Sequence, residues 1–211
     1  KDLNRMHDQG LIQKIHGGAR QRTDYSEVSL DVRITENASQ KQEIAKKALS
    51  LIRDNSIVYI DTGSTPLALS KLLVLKKNLT VITCSLMAAQ VTSEMKHDVI
   101  FLGGRVLKTG KGVIGPFATQ HIDTIPLDIA FLGCDGFLNC SGPTTFDFDM
   151  MELKQHVLKM SKTKVLMCDT SKFHHTGTFI YTPFSSFDYL VTTHLLPYER
   201  RMVQDVGKII M

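Results

Sequence analysis

Short continuous apolar runs alternate with amphipathic stretches along most of the chain. Ile57-Val58-Tyr59-Ile60 places four apolar residues in succession, which marks a strand buried on both faces. Similar runs fall at 79–83, 98–102, 128–132, 164–167, 189–191 and 208–210. Between them the apolar spacing changes to that of a helix. Ile44, Ala48, Leu51 and Ile52 form one stripe, with Ser39 as the expected N-cap and Glu43 near the first turn; Met150, Leu153, Val157 and Met160 form another. Helices are also expected over 67–75, 87–95, 116–123 and 199–206. This alternation predicts an α/β fold with a mostly parallel sheet flanked by helices on both faces.

The first 37 residues read differently. Leu3 and Met6 suggest the end of a short helix, stopped at Gly10. Residues 11–15 suit a strand, and His16-Gly17-Gly18-Ala19 suits a tight turn with glycine at positive φ. A helix followed by a β-hairpin is how a winged-helix domain ends. Residues 21–37 are polar and irregular, as in a linker or a crossing arm. The expected organisation is therefore a winged-helix remnant over 1–22, a linker over 23–37 and one α/β domain over 38–211. Because Lys1 falls inside the helical pattern, the native N-terminus is expected to lie upstream.

Composition narrows the class. With 211 residues, 43% of them hydrophobic, the chain is long enough to bury a substantial core. At 22% charged residues, and with apolar runs of no more than four or five, it fits neither disorder nor a membrane span. The net charge of +4 is unevenly placed: residues 1–22 carry five basic and two acidic side chains, while the other 189 hold twenty against nineteen. A basic head on a nearly neutral body points to a polyanionic partner for the head alone. Cys84, Cys134, Cys140 and Cys168 form no CxxC pair. No signal peptide precedes them, and a reduced cytoplasm is the expected location.

The strongest local signal is Asp61-Thr62-Gly63-Ser64-Thr65-Pro66, placed after a buried strand and before a helix. In open α/β sheets ligands bind beyond the carboxyl ends of strands, where free N–H groups at the next helix favour an anion. Gly63 permits close backbone approach, Ser64 and Thr65 add hydroxyl donors, and Pro66 suits the first helical turn. Phosphate is the expected guest; a plain strand-to-helix turn with a capping hydroxyl is the alternative. Other strands end in Cys84-Ser85, Gly103-Gly104 and Gly133-Cys134-Asp135-Gly136, and all four ends are expected to face one crevice. Asp61 and Asp135 are placed to accept hydrogen bonds from sugar hydroxyls, at the end away from the phosphate. Lys172, in Asp169-Thr170-Ser171-Lys172-Phe173, is a point charge for the phosphate. Lys154 either reaches the crevice or stays solvated on its helix.

Two further patterns carry less. Gly110-Lys111-Gly112-Val113-Ile114-Gly115 matches GxGxxG with Asp135 twenty residues on, but no buried strand precedes it and Pro116 follows at once. A mobile loop beside the crevice is expected there, without a nicotinamide or flavin. His174-His175 lacks the spacing of a metal site and reads as a surface pair. No cofactor or metal is expected.

The order of these signals resembles the DeoR family of bacterial transcriptional repressors. The resemblance runs from Asp2-Leu3-Asn4, Gly10-Leu11-Ile12 and His16-Gly17-Gly18-Ala19 through Asp61-Thr62-Gly63-Ser64-Thr65, Leu102-Gly103-Gly104, Gly115-Pro116, Leu132-Gly133-Cys134-Asp135-Gly136 and Asp169-Thr170-Ser171-Lys172-Phe173. It implies a sensor domain similar in fold to ribose-5-phosphate isomerase, binding a phosphorylated sugar or sugar-derived effector that alters the hold on operator DNA. It also implies that Asp61, Gly63, Ser64, Thr65, Gly103, Gly104, Asp135, Gly136 and Lys172 line the effector site; Thr62, Cys84, Ser85 and Lys154 are expected at the same site. The family usually has Asn where Cys84 stands and Lys-Arg where Lys154-Gln155 stands, so hydroxyl recognition and charge differ here.

In the basic head, Lys1, Arg5 and Lys14 are expected to contact DNA phosphates, with His16, Gly17 and Gly18 on the wing. The helix that reads base edges lies upstream of Lys1 in this reading, so the residues present are expected to give only salt-sensitive, non-specific affinity. A homodimer or homotetramer matches paired half-sites. The competing class is a sugar-phosphate isomerase or deaminase on the same scaffold, which needs a carboxylate base over the sugar carbon. After Asp135 no carboxylate follows until Asp147. A purely structural partner-binding domain explains neither the phosphate-type turn nor the basic head.

Overall fold

The computed structural model describes residues 27–211 in full and residues 12–15 and 18–21 by their backbone. Strands β1 (Ile12–Ile15) and β2 (Gly18–Gln21) pair antiparallel, with Ile15 opposite Gly18. The hairpin is the expected one, but Gly18 and Ala19 belong to its second strand, not its turn. The expected helix end over 1–10 and the side chains of Lys1, Arg5, Lys14 and His16 lie outside the described residues, as does Gly17.

The arm is not irregular throughout. Helix α1 (Leu30–Thr35) forms within it, although the segment lacks a periodic apolar face. Tertiary contact supplies what local pattern does not: Leu30 is fully buried, and its N–H donates to the Thr109 carbonyl at 3.0 Å. Helix α2 (Ala38–Leu49) starts from Asn37 at φ 51°, so the expected Ser39 cap falls inside the helix. Asparagine tolerates that left-handed conformation, and its side-chain amide donates to Asp169 Oδ1 at 3.3 Å. Ile44, Ala45 and Ala48 form the buried stripe; Leu51 and Ile52 lie past the helix end, although Ile52 is still buried.

The body follows as β3 (Ile57–Ile60), α3 (Ser64–Ser70), β4 (Thr80–Thr83), α4 (Leu86–Ser93) and β5 (Asp98–Phe101). A hairpin comes next, β6 (Arg105–Leu107) and β7 (Gly112–Ile114), then α5 (Pro116–Ile122) and β8 (Leu127–Leu132). After a short strand β9 (Thr144–Thr145), helix α6 (Phe148–Met160) leads directly into β10 (Ser161–Met167). The chain closes with β11 (Phe179–Ile180), β12 (Tyr189–Val191), α7 (Pro197–Met202) and β13 (Lys208–Ile210). N-caps start two of the helices: Ser85 accepts from Ala88 N–H at α4 and Asp147 from Met150 N–H at α6.

Seven strands form one sheet in the order β13-β12-β10-β8-β3-β4-β5, and every adjacent pair is parallel. Alternate residues feed two cores. Tyr59, Ala130, Leu132 and Leu166 pack against α5 and α6, whereas Val58, Ile60, Ile129, Phe131 and Val165 pack against α2 and α3. Two-sided burial is why these strands read as continuous apolar runs. The exception is β5, expected to be buried but found at the sheet edge, with Ile100 and Phe101 exposed.

The strand order locates the ligand crevice. From β3 the chain runs outward through β4 to β5, then returns to place β8 on the other side of β3. The loops leaving β3 and β8 therefore diverge, opening a gap at their carboxyl ends.

Candidate functional site

That gap is lined by residues 62–66 after β3, 133–135 after β8, Asp147, Met150 and Lys154 of the α6 region, and Lys172. Glu27 and Arg33 of the arm and Leu107 of the β6–β7 hairpin close it. Gly63, at φ 134°, makes the turn that starts α3; the conformation is one that residues with a Cβ rarely adopt. Thr62 ties this turn to the hairpin, its hydroxyl donating to the Gly110 carbonyl at 2.7 Å. The expected mobile glycine loop is thus the connection of an ordered hairpin, further held by Leu86 N–H to Lys111 O and Val113 N–H to Cys84 O.

Asp61 does not line the crevice. It is fully buried beneath it: Oδ1 accepts from Thr62 N–H at 2.9 Å, and Oδ2 accepts from Gly133 N–H at 2.9 Å and from Lys154 Nζ. Lys154 also donates to the Gly133 carbonyl at 3.0 Å and lies 5.1 Å from the Tyr181 ring centroid. The expected role of Asp61 as a hydroxyl acceptor is replaced by that of a clamp, holding the β3 and β8 ends together through one carboxylate and one ammonium. Lys154 is 3% exposed, which decides against the solvated alternative.

Lys172 is half-buried at the crevice wall, on the 3-10 turn Thr170–His174. It forms no ion pair among the described residues, unlike Lys154 and Arg33. Nearby Asp169 is fully buried. Burial alone raises its pKa, but Lys172, the Ser171 hydroxyl and Lys41 outweigh that and hold it below the ordinary carboxylate value.

The remaining expected residues are distributed unevenly. Asp135 lines the crevice, accepting from Phe146 N–H at 3.2 Å and from Arg33 at 3.1 Å. Cys84 is buried under the floor, where Tyr59 Oη donates to its sulfur at 3.2 Å; Ser85 is consumed as the α4 cap. Gly103 and Gly104 stand away from the lining residues, and Gly136 is occupied by packing: an added Cβ would meet Ile114 O at 2.4 Å from Gly104 and His175 O at 2.2 Å from Gly136. Both glycines serve close backbone approach rather than ligand space. Gln155 is exposed and faces a different groove. Sequence reasoning missed Arg33 and Glu27 altogether; the one signal was that Arg33 is the single basic residue in an arm, 23–37, that also carries Asp24, Glu27, Asp31 and Glu36.

A sequence profile described as DeoR C terminal sensor domain matches residues 36–194. The chain belongs to this family. Among its relatives, the HTH-type transcriptional regulator GolR of Listeria innocua is 32% identical, over 90% of this chain and 76% of that protein. The glycerol-3-phosphate regulon repressor of Escherichia coli is 30% identical, over 82% of this chain and 69% of that protein. Among solved structures, translation initiation factor eIF-2B of Pyrococcus horikoshii OT3 shares the fold, with TM-score 0.51 at 17% identity, over 73% of this chain and 62% of that one. Ribose 5-phosphate isomerase A of Methanocaldococcus jannaschii overlaps with TM-score 0.48 at 19% identity, over 65% and 55%.

Within this DeoR-family sensor domain the four thiols separate by environment. Burial pushes Cys84 up to about 12, and the hydrogen bond with Cys134, together with burial, also raises Cys168. Cys134 and Cys140 are only partly covered. Since the thiolate is the nucleophile, iodoacetamide at pH 8 is expected to modify Cys134 and Cys140 in the folded protein and to reach Cys84 and Cys168 only after denaturation. Peptide mass spectrometry reads the order, and early labelling of Cys84 contradicts its burial.

Proposed function

We propose that this chain is the sensor of a sugar-responsive transcriptional repressor and that the crevice between the β3 and β8 ends takes a phosphorylated sugar or sugar-derived effector. The observation that carries this reading is the unpaired Lys172 beside the Gly63-Ser64-Thr65 turn at the point where the strand order reverses. A phosphate there meets one available cation and a set of hydroxyl and N–H donors. The acidic residues Asp135 and Asp147 line the crevice as well, and suit the polyol end. The names of the relatives, which include a glycerol-3-phosphate regulon repressor, agree with a phosphorylated effector.

Signalling follows from linkage. An effector that prefers one arrangement of arm and sensor shifts the population between arrangements, and the shift reaches operator DNA through whatever the arm carries. Residues 1–22 are assigned to the DNA-binding side and 38–211 to effector binding, in a cytoplasmic homodimer or homotetramer. No helix among the described residues is long and apolar enough to cross a membrane.

The enzyme alternative is less favoured, because each carboxylate at the crevice already has a partner. Glu27 and Asp135 hold Arg33, Asp147 caps α6, and Asp61 is sealed beneath the floor with Lys154. None is free to act as a base over a substrate carbon.

A thermal-shift screen of sugar phosphates against the same sugars unphosphorylated tests the reading. The phosphorylated ligand is expected to stabilise the protein by about 2.7 kcal/mol at a hundredfold excess over Kd. Lys172→Ala is expected to weaken its binding about tenfold or more, as for loss of a charge-assisted bond. Ser64→Ala should have a smaller effect of the same sign. Stabilisation that does not depend on the phosphate, or turnover of ribose 5-phosphate by the pure protein, counts against the sensor reading.

A further inference from the structure

Given a phosphorylated ligand in the crevice as proposed above, we propose that Arg33 is a specificity residue, delivered by the arm, that reads an oxygen on the ligand's carbon skeleton rather than its phosphate.

Among the described residues, Arg33 is the one side chain at the crevice that leaves a buried donor without a partner. Its Nη1 donates to Asp135 Oδ1 at 3.1 Å and its Nη2 to Glu27 Oε1 at 3.0 Å. Its Nε is shielded from solvent and makes no hydrogen bond. A guanidinium has donors and no acceptor, and a buried N–H left unmade costs free energy. The side chain is only 12% exposed and lines the crevice, so the group that satisfies Nε has to come from within it.

The position of Arg33 assigns what it reads. Two carboxylates clamp its fork and offset its charge, whereas Lys172 has no carboxylate within ion-pair distance among the described residues. The phosphate therefore goes to Lys172 and the α3 turn. In the proposed pose Arg33, held at Asp135, meets the polyol end of the ligand, which presents hydroxyl or carbonyl oxygens. A single N–H aimed by two fixed partners is a directional probe for one such oxygen, and a site built to bond an oxygen discriminates strongly against a ligand that lacks it.

Location also gives Arg33 a second consequence. It sits on α1, within the arm that precedes the sensor body, and the arm is also tied to that body where Leu30 N–H donates to Thr109 O, the Thr109 hydroxyl donates to Glu27 and the Asn37 amide donates to Asp169. With the arm in place the crevice keeps about 40 Å³, room for about three waters. A sugar phosphate therefore enters by lifting the arm, and the bond from Arg33 is what brings the arm back over it.

The test uses the chain as it stands, with inorganic phosphate and a panel of glycerol 3-phosphate, fructose 1-phosphate and ribose 5-phosphate as probes. Calorimetry on wild type, Arg33→Lys and Lys172→Ala measures affinity, and hydrogen exchange follows peptides over 27–36. For the panel member that binds wild type best, Arg33→Lys is expected to lose about tenfold or more in affinity while binding inorganic phosphate like wild type; Lys172→Ala should lose both. In wild type, saturation with the sugar phosphate should slow exchange over 27–36 and inorganic phosphate should not. The inference is overturned if Arg33→Lys keeps full affinity for the sugar phosphate while Lys172→Ala loses it. Unchanged exchange over 27–36 in wild type at saturation overturns it too, without reliance on any variant's folding. If neither phosphate nor any panel member binds wild type, the effector reading itself fails and the inference fails with it.

Discussion

Lys154→Ala should lower the stability of the folded domain by about 3–5 kcal/mol, the usual cost of removing one partner from a buried ion pair. For a chain of this length that corresponds to a fall in Tm on the order of 10 °C. The cause is specific. Asp61 lies at 0% exposure, and its ammonium partner also satisfies the Gly133 carbonyl at 3.0 Å. Loss of Lys154 leaves a carboxylate under the crevice with two backbone N–H donors and the weak Cys84 thiol donor, and leaves the Gly133 carbonyl to Tyr181 Oη alone. Double replacement, Asp61→Leu with Lys154→Met, removes both charges but leaves the Thr62 and Gly133 N–H groups without their acceptor, and is expected to recover only part of the loss. Urea denaturation of the two variants beside wild type measures this. A Lys154→Ala protein within 1 kcal/mol of wild type, by an order-of-magnitude reading of the same rule, would show that water already reaches the pair.

Gly136→Ala should be nearly as damaging, at about 3 kcal/mol, from two costs that act together. The residue sits at φ 153°, which side chains with a Cβ rarely adopt, and the added methyl would lie 2.2 Å from the His175 carbonyl oxygen and 2.4 Å from its carbon. Backbone on both sides cannot turn aside as a flexible side chain does. Thr144 N–H donates to Gly136 O, and Leu138 N–H donates to His175 O, so relief of the overlap pulls apart the segment that carries Lys172. Melting temperature reports the stability loss. The proposed sugar-phosphate affinity should fall as well, although Gly136 is not among the crevice-lining residues; Gly103→Ala, with no atom within 4 Å of the added Cβ, serves as the neutral comparison.

Legibility in the sequence followed the physics of each element. Buried parallel strands have no solvent face, so Ile57–Ile60 and Leu127–Leu132 announce themselves as apolar runs. Helix α6 was equally plain from its stripe. Helix α1 was not, because one buried leucine and a hydrogen bond to Thr109 hold it in place of any repeating pattern. Strand β5 was legible as a strand over Asp98–Phe101, but its place at the sheet edge was not, because four consecutive residues that suit a strand carry no record of which neighbours they gain. The Asp61-to-Pro66 turn was recognisable as a ligand-type turn from its residue types and context. Whether Asp61 faced a ligand or a lysine was undecidable there, since Lys154 is 93 residues distant.

What the sequence determined by itself was the class of the fold, the ends of most strands, and the small and hydroxyl-bearing residues gathered at those ends. These depend on local spacing, which a chain carries wherever it is placed. Tertiary structure alone decided that β8 returns beside β3, that Asp61 and Lys154 close on each other below the crevice, that Gly104 and Gly136 serve packing, and that an arm residue enters the site with one donor unpaired. Each of these depends on which distant segments meet. Burial then sets the energy of the meeting, because a charge or a donor withdrawn from water must find its partner within the protein.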